Sequence, residues 1–246
     1  MRRRQTFTII AISLTLGLTG TVSASASLPQ IGGKSVDAAS GLAPFPGRPA
    51  EPAPPAVTVA DACGYVPAIP ADRFKGIPVF DPAEAAKPYS ATLLTTQGRI
   101  TFQALTDKAP CTRYSFRFLA QRHYYNLTHC HRLVTQRIFV LQCGDPTGTG
   151  SGGPGYSFHD ENLTGATYPA GTVAMANAGP DTNGSQFFIC TKDTVLRPNY
   201  TPFGRVTAGM DVLQKIDAGG EDHQNGPGDG YPNLYVGILA VGILEN

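Results

Sequence analysis

The sequence predicts a mainly β domain, built as a closed antiparallel barrel capped by two α-helices. Many short apolar runs are separated by turn residues, only two stretches carry helical spacing, and no internal repeat is present. The first strand pair is a hairpin: Ala91–Thr96, a Gln97-Gly98 turn, then Arg99–Leu105, with Ile100, Phe102 and Ala104 alternating against polar neighbours. Thr106–Pro110 opens a helix that runs to about Gln121, Pro110 standing near its first position. Cys111, Tyr114, Ser115, Phe118 and Leu119 fall at helical spacing and are expected to face the core. Short apolar runs follow at His131–Val134, Ile138–Gln142, Thr172–Ala176, Gln186–Cys190 and Phe203–Val206. The second helix, Gly209–Asp217, presents Val212, Leu213 and Ile216 on one side. Leu234–Leu244 reads as a strand pair, with Gly237 and Gly242 at bends or bulges.

The barrel occupies only part of the chain. With 246 residues, 41% of them apolar, there is room for one medium domain plus appendages. Met1-Arg2-Arg3-Arg4, the apolar stretch Thr6–Leu18 and the small residues Val22–Ala26 read as an export signal over 1–26. That stretch is shorter than the roughly 20 apolar residues of a membrane span and is broken by Thr, Ser and Gly, so cleavage is favoured over anchoring and no integral span is expected afterwards. Residues 27–62, with Pro44, Pro46, Pro49, Pro52, Pro54 and Pro55, are too poor in large apolar side chains to offset their ordering entropy and read as a disordered linker. Residues 63–89 are an irregular transition, and 90–246 the folded domain. A net charge of +1 carries no electrostatic footprint for nucleic acid or an anionic membrane.

Cys63, Cys111, Cys130, Cys143 and Cys190 sit in this exported, disulfide-permissive setting. Five leave at least one unpaired, and spacing does not fix connectivity. A bridge from Cys63 would tether the N-terminal segment to the domain; the alternative is five small buried thiols. His129, Cys130, His131 and Cys143 invite a metal reading. On a strand, however, the two histidines share one face and Cys130 the other, so no metal or other cofactor is expected. Gly148–Gly155 lacks the Lys-Ser/Thr ending of a phosphate loop and reads as a flexible rim.

Three segments carry unusual composition: His129-Cys130-His131-Arg132 followed by Ile138–Asp145; Met175-Ala176-Asn177-Ala178-Gly179-Pro180-Asp181-Thr182-Asn183-Gly184-Ser185-Gln186-Phe187-Phe188-Ile189; and Thr201–Val206. Together, in this order, they closely resemble the cyclophilins, peptidyl-prolyl cis–trans isomerases, over about residues 91–244, and look like exported bacterial members. The resemblance implies an eight-stranded closed barrel with two helices, no cofactor, proline-containing polypeptides as substrates and a monomer. It implies Arg132 as the catalytic arginine and Gln142 beside it. It implies Phe139 and Val140 as apolar lining, and Ala176 and Asn177 as the edge that pairs with substrate backbone. Gln186 becomes a polar groove residue, Phe188 the floor of the proline pocket and Leu196 a further wall, while Tyr200 occupies the place of a groove histidine. Two departures stand out. The Arg132–Phe139 loop is about two residues longer than in common members, and Val195 stands where many carry an aromatic that helps bind cyclosporin, so weak cyclosporin binding is expected.

Residue chemistry fits those roles independently. An unpaired arginine after a strand is ordinarily a surface charge, and of Phe187 and Phe188 one should be core, since neighbours on a strand face opposite ways. A fixed guanidinium beside an apolar slot is suited to donate to a proline nitrogen as its conjugation is lost, which needs no nucleophile, metal or proton relay. Two other readings compete: a module that binds proline loops with little catalysis, and a metal-buffering envelope protein.

Overall fold

The computed structural model describes residues 62–245; the expected export signal and nearly all of the linker lie outside them. In chain order the elements are β1 (Val66–Ala71), α1 (Pro82–Ala86), β2 (Tyr89–Thr95), β3 (Gly98–Ala104), α2 (Pro110–Gln121), β4 (Thr128–His129), β5 (Arg132–Val134), β6 (Val140–Cys143), β7 (Pro154–Ser157), β8 (Thr172–Met175), β9 (Phe187–Cys190), β10 (Pro202–Ala208), α3 (Met210–Ala218), β11 (Asp229–Gly230) and β12 (Gly237–Glu245). Ten strands make one curled antiparallel sheet in the order β11-β5-β6-β9-β8-β10-β3-β2-β12-β4, and β1 pairs with β7 in a small second sheet. The fold is therefore mainly β, with ten strands rather than eight in the main sheet and three described helices rather than two.

The additions to the expected plan are short. Residues 63–89 hold β1 and α1 instead of remaining irregular throughout. α1 forms because Asp81 caps it, accepting from Ala83 N at 2.8 Å and Glu84 N at 3.1 Å, with Pro82 filling a first-turn position that needs no donor. The C-terminal segment is one strand, not a pair: β12 lies between β2 and β4, and its register shift falls between Ile238 and Ala240 rather than at Gly242.

α2 matches its expected span, but its buried face is rotated. Thr112, Arg113, Ser115, Phe116, Leu119 and Ala120 are buried, whereas Tyr114 and Phe118 are only half-buried. The cause is packing from the N-terminal segment, which covers a second side of the helix: Tyr114 donates to Val79 O at 2.9 Å. The guanidinium of Arg113, which sequence spacing leaves outside the core, is buried against three carbonyls, those of Ala85, Thr106 and Lys87, at 2.8–2.9 Å. Glu161 takes over the helix cap that Ala109 cannot provide, accepting from Cys111 N and Thr112 N at 3.0 and 2.7 Å.

The centre of the core is Phe116, whose ring lies 5.0–5.5 Å from those of Phe102, Tyr125, Phe187 and Phe203. Truncating such a side chain to alanine costs about 3–5 kcal/mol. Two disulfides close the structure: Cys63–Cys111 ties the N-terminal segment to α2, and Cys130–Cys143 joins the chain before β5 to the end of β6. Strand parity opposes the second bridge in an unbroken ladder. It forms because pairing is interrupted at Cys130-His131, where the chain changes partner from β12 to β6. The pairing removes both sulfurs from the metal cluster considered above. No helix among the described residues is long and apolar enough to cross a membrane.

Candidate active site

Strand register brings the site together. In the ladders β5–β6–β9–β8, Arg132 stands opposite Gln142, Gln142 opposite Phe188, and Phe188 opposite Ala174. Directly opposed side chains share a face, so arginine, glutamine and phenylalanine form one row. Two residues along, Val134, Val140 and Cys190 form a parallel row on that face. The alternate residues Leu133, Leu141, Ile189, Cys143 and Phe187 point into the main core. The Phe187/Phe188 question is settled this way: Phe187 is core, and Phe188, 4% exposed, belongs to a separate apolar cluster on the other face.

That cluster is an apolar slot. Phe188 lies among Val134, Val140, Tyr168, Ala174 and Cys190, with Ile138, Ala176, Leu196 and Tyr200 packed at its edge. The rings of Phe188 and Tyr200 meet edge to face at 5.5 Å. Of the residues expected here, Val140, Phe188, Leu196 and Tyr200 are assembled. Phe139 is not: it has the opposite parity to Val140, its ring carries Lys192 Nζ 4.9 Å from the centroid, and its backbone bonds to Thr191 and Thr194. Ile138 packs at the slot instead.

The polar edge is a chain of hydrogen bonds. Arg132 Nε and Nη2 donate to the two carboxylate oxygens of Asp229 at 2.8 and 2.6 Å, and Nη1 reaches Gln142 Oε1 at 3.4 Å. Gln142 Nε2 donates to Gln186 Oε1 at 2.9 Å, and Gln186 Nε2 donates to the carbonyls of Gly150 and Gly152 at 2.9 and 3.0 Å. The Asp229 bonds raise the pKa of Arg132, while the Arg132 bond holds Asp229 below its ordinary value against partial burial. Arg132 keeps 38% of its side chain exposed, and three bonds use one N–H on each of its nitrogens. Of the five N–H groups of a guanidinium, one on each Nη is left without a hydrogen-bond partner among the described residues.

Ala176 N bonds to Gln186 O at 3.0 Å just past the end of β8, so Ala176-Asn177 continues the groove edge beyond the ladder. The Asn177 side chain is held by Asn199 O at 2.8 Å. The glycine-rich rim is cross-tied rather than slack. Asp145, fully buried, accepts from Thr147 N at 2.7 Å and from Thr149, Gly150 and Gly152 N at 3.1, 2.7 and 3.1 Å. Burial opposes its charge, but these bonds hold its pKa below the ordinary value. His131 lies buried beneath this rim with neither ring nitrogen hydrogen-bonded, and burial lowers its pKa.

Asp229, Ile138 and Asp145 were not anticipated. Asp229 arrives from the short strand β11, 97 residues away in sequence, and no local pattern marks it.

An arginine fixed beside an apolar cluster on one face of a curled antiparallel sheet is the arrangement of the cyclophilin class, and this chain belongs to the cyclophilin-type peptidyl-prolyl cis–trans isomerase family. Residues 91–240 match the family model described as "Cyclophilin type peptidyl-prolyl cis-trans isomerase/CLD". A Mycobacterium tuberculosis protein named "Probable peptidyl-prolyl cis-trans isomerase B" is 39% identical over 214 residues, 78% of this chain and 67% of that protein. Its Mycobacterium leprae counterpart is 43% identical over 166 residues, 62% of this chain and 56% of that protein. Human peptidyl-prolyl cis-trans isomerase-like 1 is 41% identical over 157 residues, 60% of this chain and 91% of that protein. Among solved structures, a Cryptosporidium parvum cyclophilin-type isomerase superposes with a TM-score of 0.57 at 30% identity, covering 65% of this chain and 99% of that one.

Proposed function

We propose that this chain catalyses cis–trans isomerisation of Xaa–Pro bonds in exported polypeptides, using Arg132 above the Phe188 slot. The single observation that carries the reading is the row Arg132–Gln142–Phe188, which sets a cation and an apolar floor on one face, with Gln142 on the strand between them. Peptide rotation has a barrier of about 18–20 kcal/mol because the C–N bond has double-bond character. When the amide twists, that resonance is lost and the proline nitrogen becomes able to accept a hydrogen bond. A free Nη–H of Arg132 supplies the donor, and Gln142 holds the group toward the slot. A contact stronger in the twisted state than in either planar state lowers the barrier. Phe188, Val140, Leu196 and Tyr200 grip the pyrrolidine ring and exclude water, which strengthens the guanidinium's field. The backbone of Ala176-Asn177 holds one side of the substrate while the other turns. No proton is transferred.

Proline-containing peptides as substrates accord with the family and with a Cryptosporidium parvum relative solved in the presence of the dipeptide Ala-Pro. Export accords with the N-terminal signal reading and with two disulfides, which persist in oxidising compartments. There, uncatalysed Xaa–Pro isomerisation takes tens to hundreds of seconds and limits folding. We also read the curled sheet as a closed eight-stranded ring acting as a monomer. Support comes from the continuous passage β4–Cys130–His131–β5, which bonds to Val236 O on one side and Gln142 O on the other.

Protease-coupled isomerisation of a Xaa–Pro peptide by the purified protein, beside Arg132→Ala, tests the reading. The wild type should accelerate the reaction and the variant should lose most turnover while still binding peptide. Equal acceleration by both proteins would remove Arg132 from the mechanism, and no acceleration by either would leave the second reading, a binding module with little catalysis.

A further inference from the structure

We propose that the strap Val66–Ala71 forms a second wall of the substrate groove and gives the enzyme a preference for an apolar side chain flanking the Xaa–Pro bond. The inference rests on the isomerase reading and adds a specificity element from outside the family-matched residues 91–240.

A cavity of about 500 Å³ adjoins the catalytic row, sharing Gln142 with it and Gln186 with the polar edge beside it. Its far wall is Ala68, Ile69 and Pro70 of the strap, and Ala176 and Asn177 bound the side toward the slot. The volume lies within the range of ordinary ligand sites and admits one large side chain. No charged side chain lines it. A charged flanking residue would lose hydration there and meet only neutral groups such as Asn177, Thr182 and Ser157, with no opposite charge, whereas an apolar one gains burial against Ala68, Ile69 and Pro70.

The wall is built in. Cys63–Cys111 anchors the strap's start, and Arg73 beyond its end donates to Tyr124 O and Asn126 O at 3.1 and 2.5 Å. Asp72 accepts from Gly153 N at 3.2 Å. At Gly155, φ is +88° and a Cβ would stand 2.6 Å from the Phe74 ring, so glycine there is what lets the strap approach. Pairing with β7 holds at Val66, Pro67 and Ala71 but shifts register between Pro67 and Ala71, bowing the middle out of the ladder. Ile69 is consequently 94% exposed at the cavity mouth. A fixed, solvent-facing isoleucine beside an uncharged cavity is arranged to be covered by substrate.

The test uses the full chain and matched Xaa–Pro peptides that differ only in carrying Leu or Glu beside the Xaa–Pro pair, on either side. Wild type should favour a Leu peptide by roughly tenfold in kcat/KM, and Ile69→Glu, at an exposed position that does not threaten folding, should bring that ratio close to one. A wild type that does not discriminate, or an Ile69→Glu ratio equal to wild type, overturns the inference while leaving the isomerase reading intact. Should every peptide prove inert to turnover, which defeats the isomerase reading instead, titrating the Leu peptide against the Ile69 methyl resonances still decides the matter. A shift supports the wall and unmoved methyls overturn it.

Discussion

Arg132 and Asp229 meet through two parallel hydrogen bonds, Nε to Oδ1 at 2.8 Å and Nη2 to Oδ2 at 2.6 Å. This fork-to-fork geometry fixes the plane of the guanidinium as well as its position, which a single bond or a lysine cannot do. The carboxylate comes from β11, paired through Asp229 and Val134 to the same strand that carries the arginine. Asp229→Ala should therefore lower kcat by roughly ten- to a hundredfold through misplacement of the donor, with KM changed far less. Arg132→Lys should fail similarly even though it keeps the charge. Steady-state kinetics with the coupled assay measures both, and an unaltered kcat in Asp229→Ala would show that the pair only adds stability.

The same pair sets an acid limit. Asp229 has a folded pKa below its unfolded one, so its contribution is full above the ordinary carboxylate value of about 3.9 and is lost as pH falls through the lower folded value. Activity should accordingly show no loss from this pair between about pH 5 and 8. His131 acts at higher pH. Burial lowers its folded pKa, so the unfolded chain takes up a proton first, and unfolding free energy should decline as pH drops below about 6.5. Denaturant titrations across that window would detect the decline, and His131→Gln should remove it.

Thiol counting checks the disulfide pattern. Cys190 is the free cysteine; it is buried, and burial pushes its thiol up to about 12. The native protein should react with no alkylating reagent at neutral pH, and the unfolded, unreduced protein with one equivalent. Replacing Cys63 by serine should cost about 4 kcal/mol, the loop-closure value for a separation of 48 residues, seen as a lowered Tm.

Cyclosporin should bind weakly. Val195, in the place of an aromatic, is 91% exposed and packs against nothing in the slot. Inhibition of the isomerase at nanomolar cyclosporin would refute this.

Much of the plan was legible because period and turn chemistry act locally. The β2–β3 hairpin, the span of α2 and α3, and the strands β5, β6, β8, β9 and β10 follow from runs whose alternation fixes both element and face. The row Arg132–Gln142–Phe188 was legible only through resemblance, since nothing local says which strands become neighbours. Phe139 was misplaced because it has the opposite parity to Val140, and parity hands the position at the slot to Ile138. The rotated face of α2 depended on the 63–89 segment, whose large apolar residues hint that it packs on the domain but not on which side of the helix. Asp229 and the Ala68–Pro70 wall are long-range arrivals with no periodic signature at all.

Asp145 gathers the amides of its own downstream loop around one buried anion. The outline of the groove's far lip is thereby set by a carboxylate and the backbone rather than by the side chains displayed there. The solvent-facing Ser151 side chain can drift in sequence and alter what a passing polypeptide touches while the lip itself stays in register. Recognition and architecture are thus free to evolve apart along this stretch, and a ligand settles onto a border already ordered before it arrives.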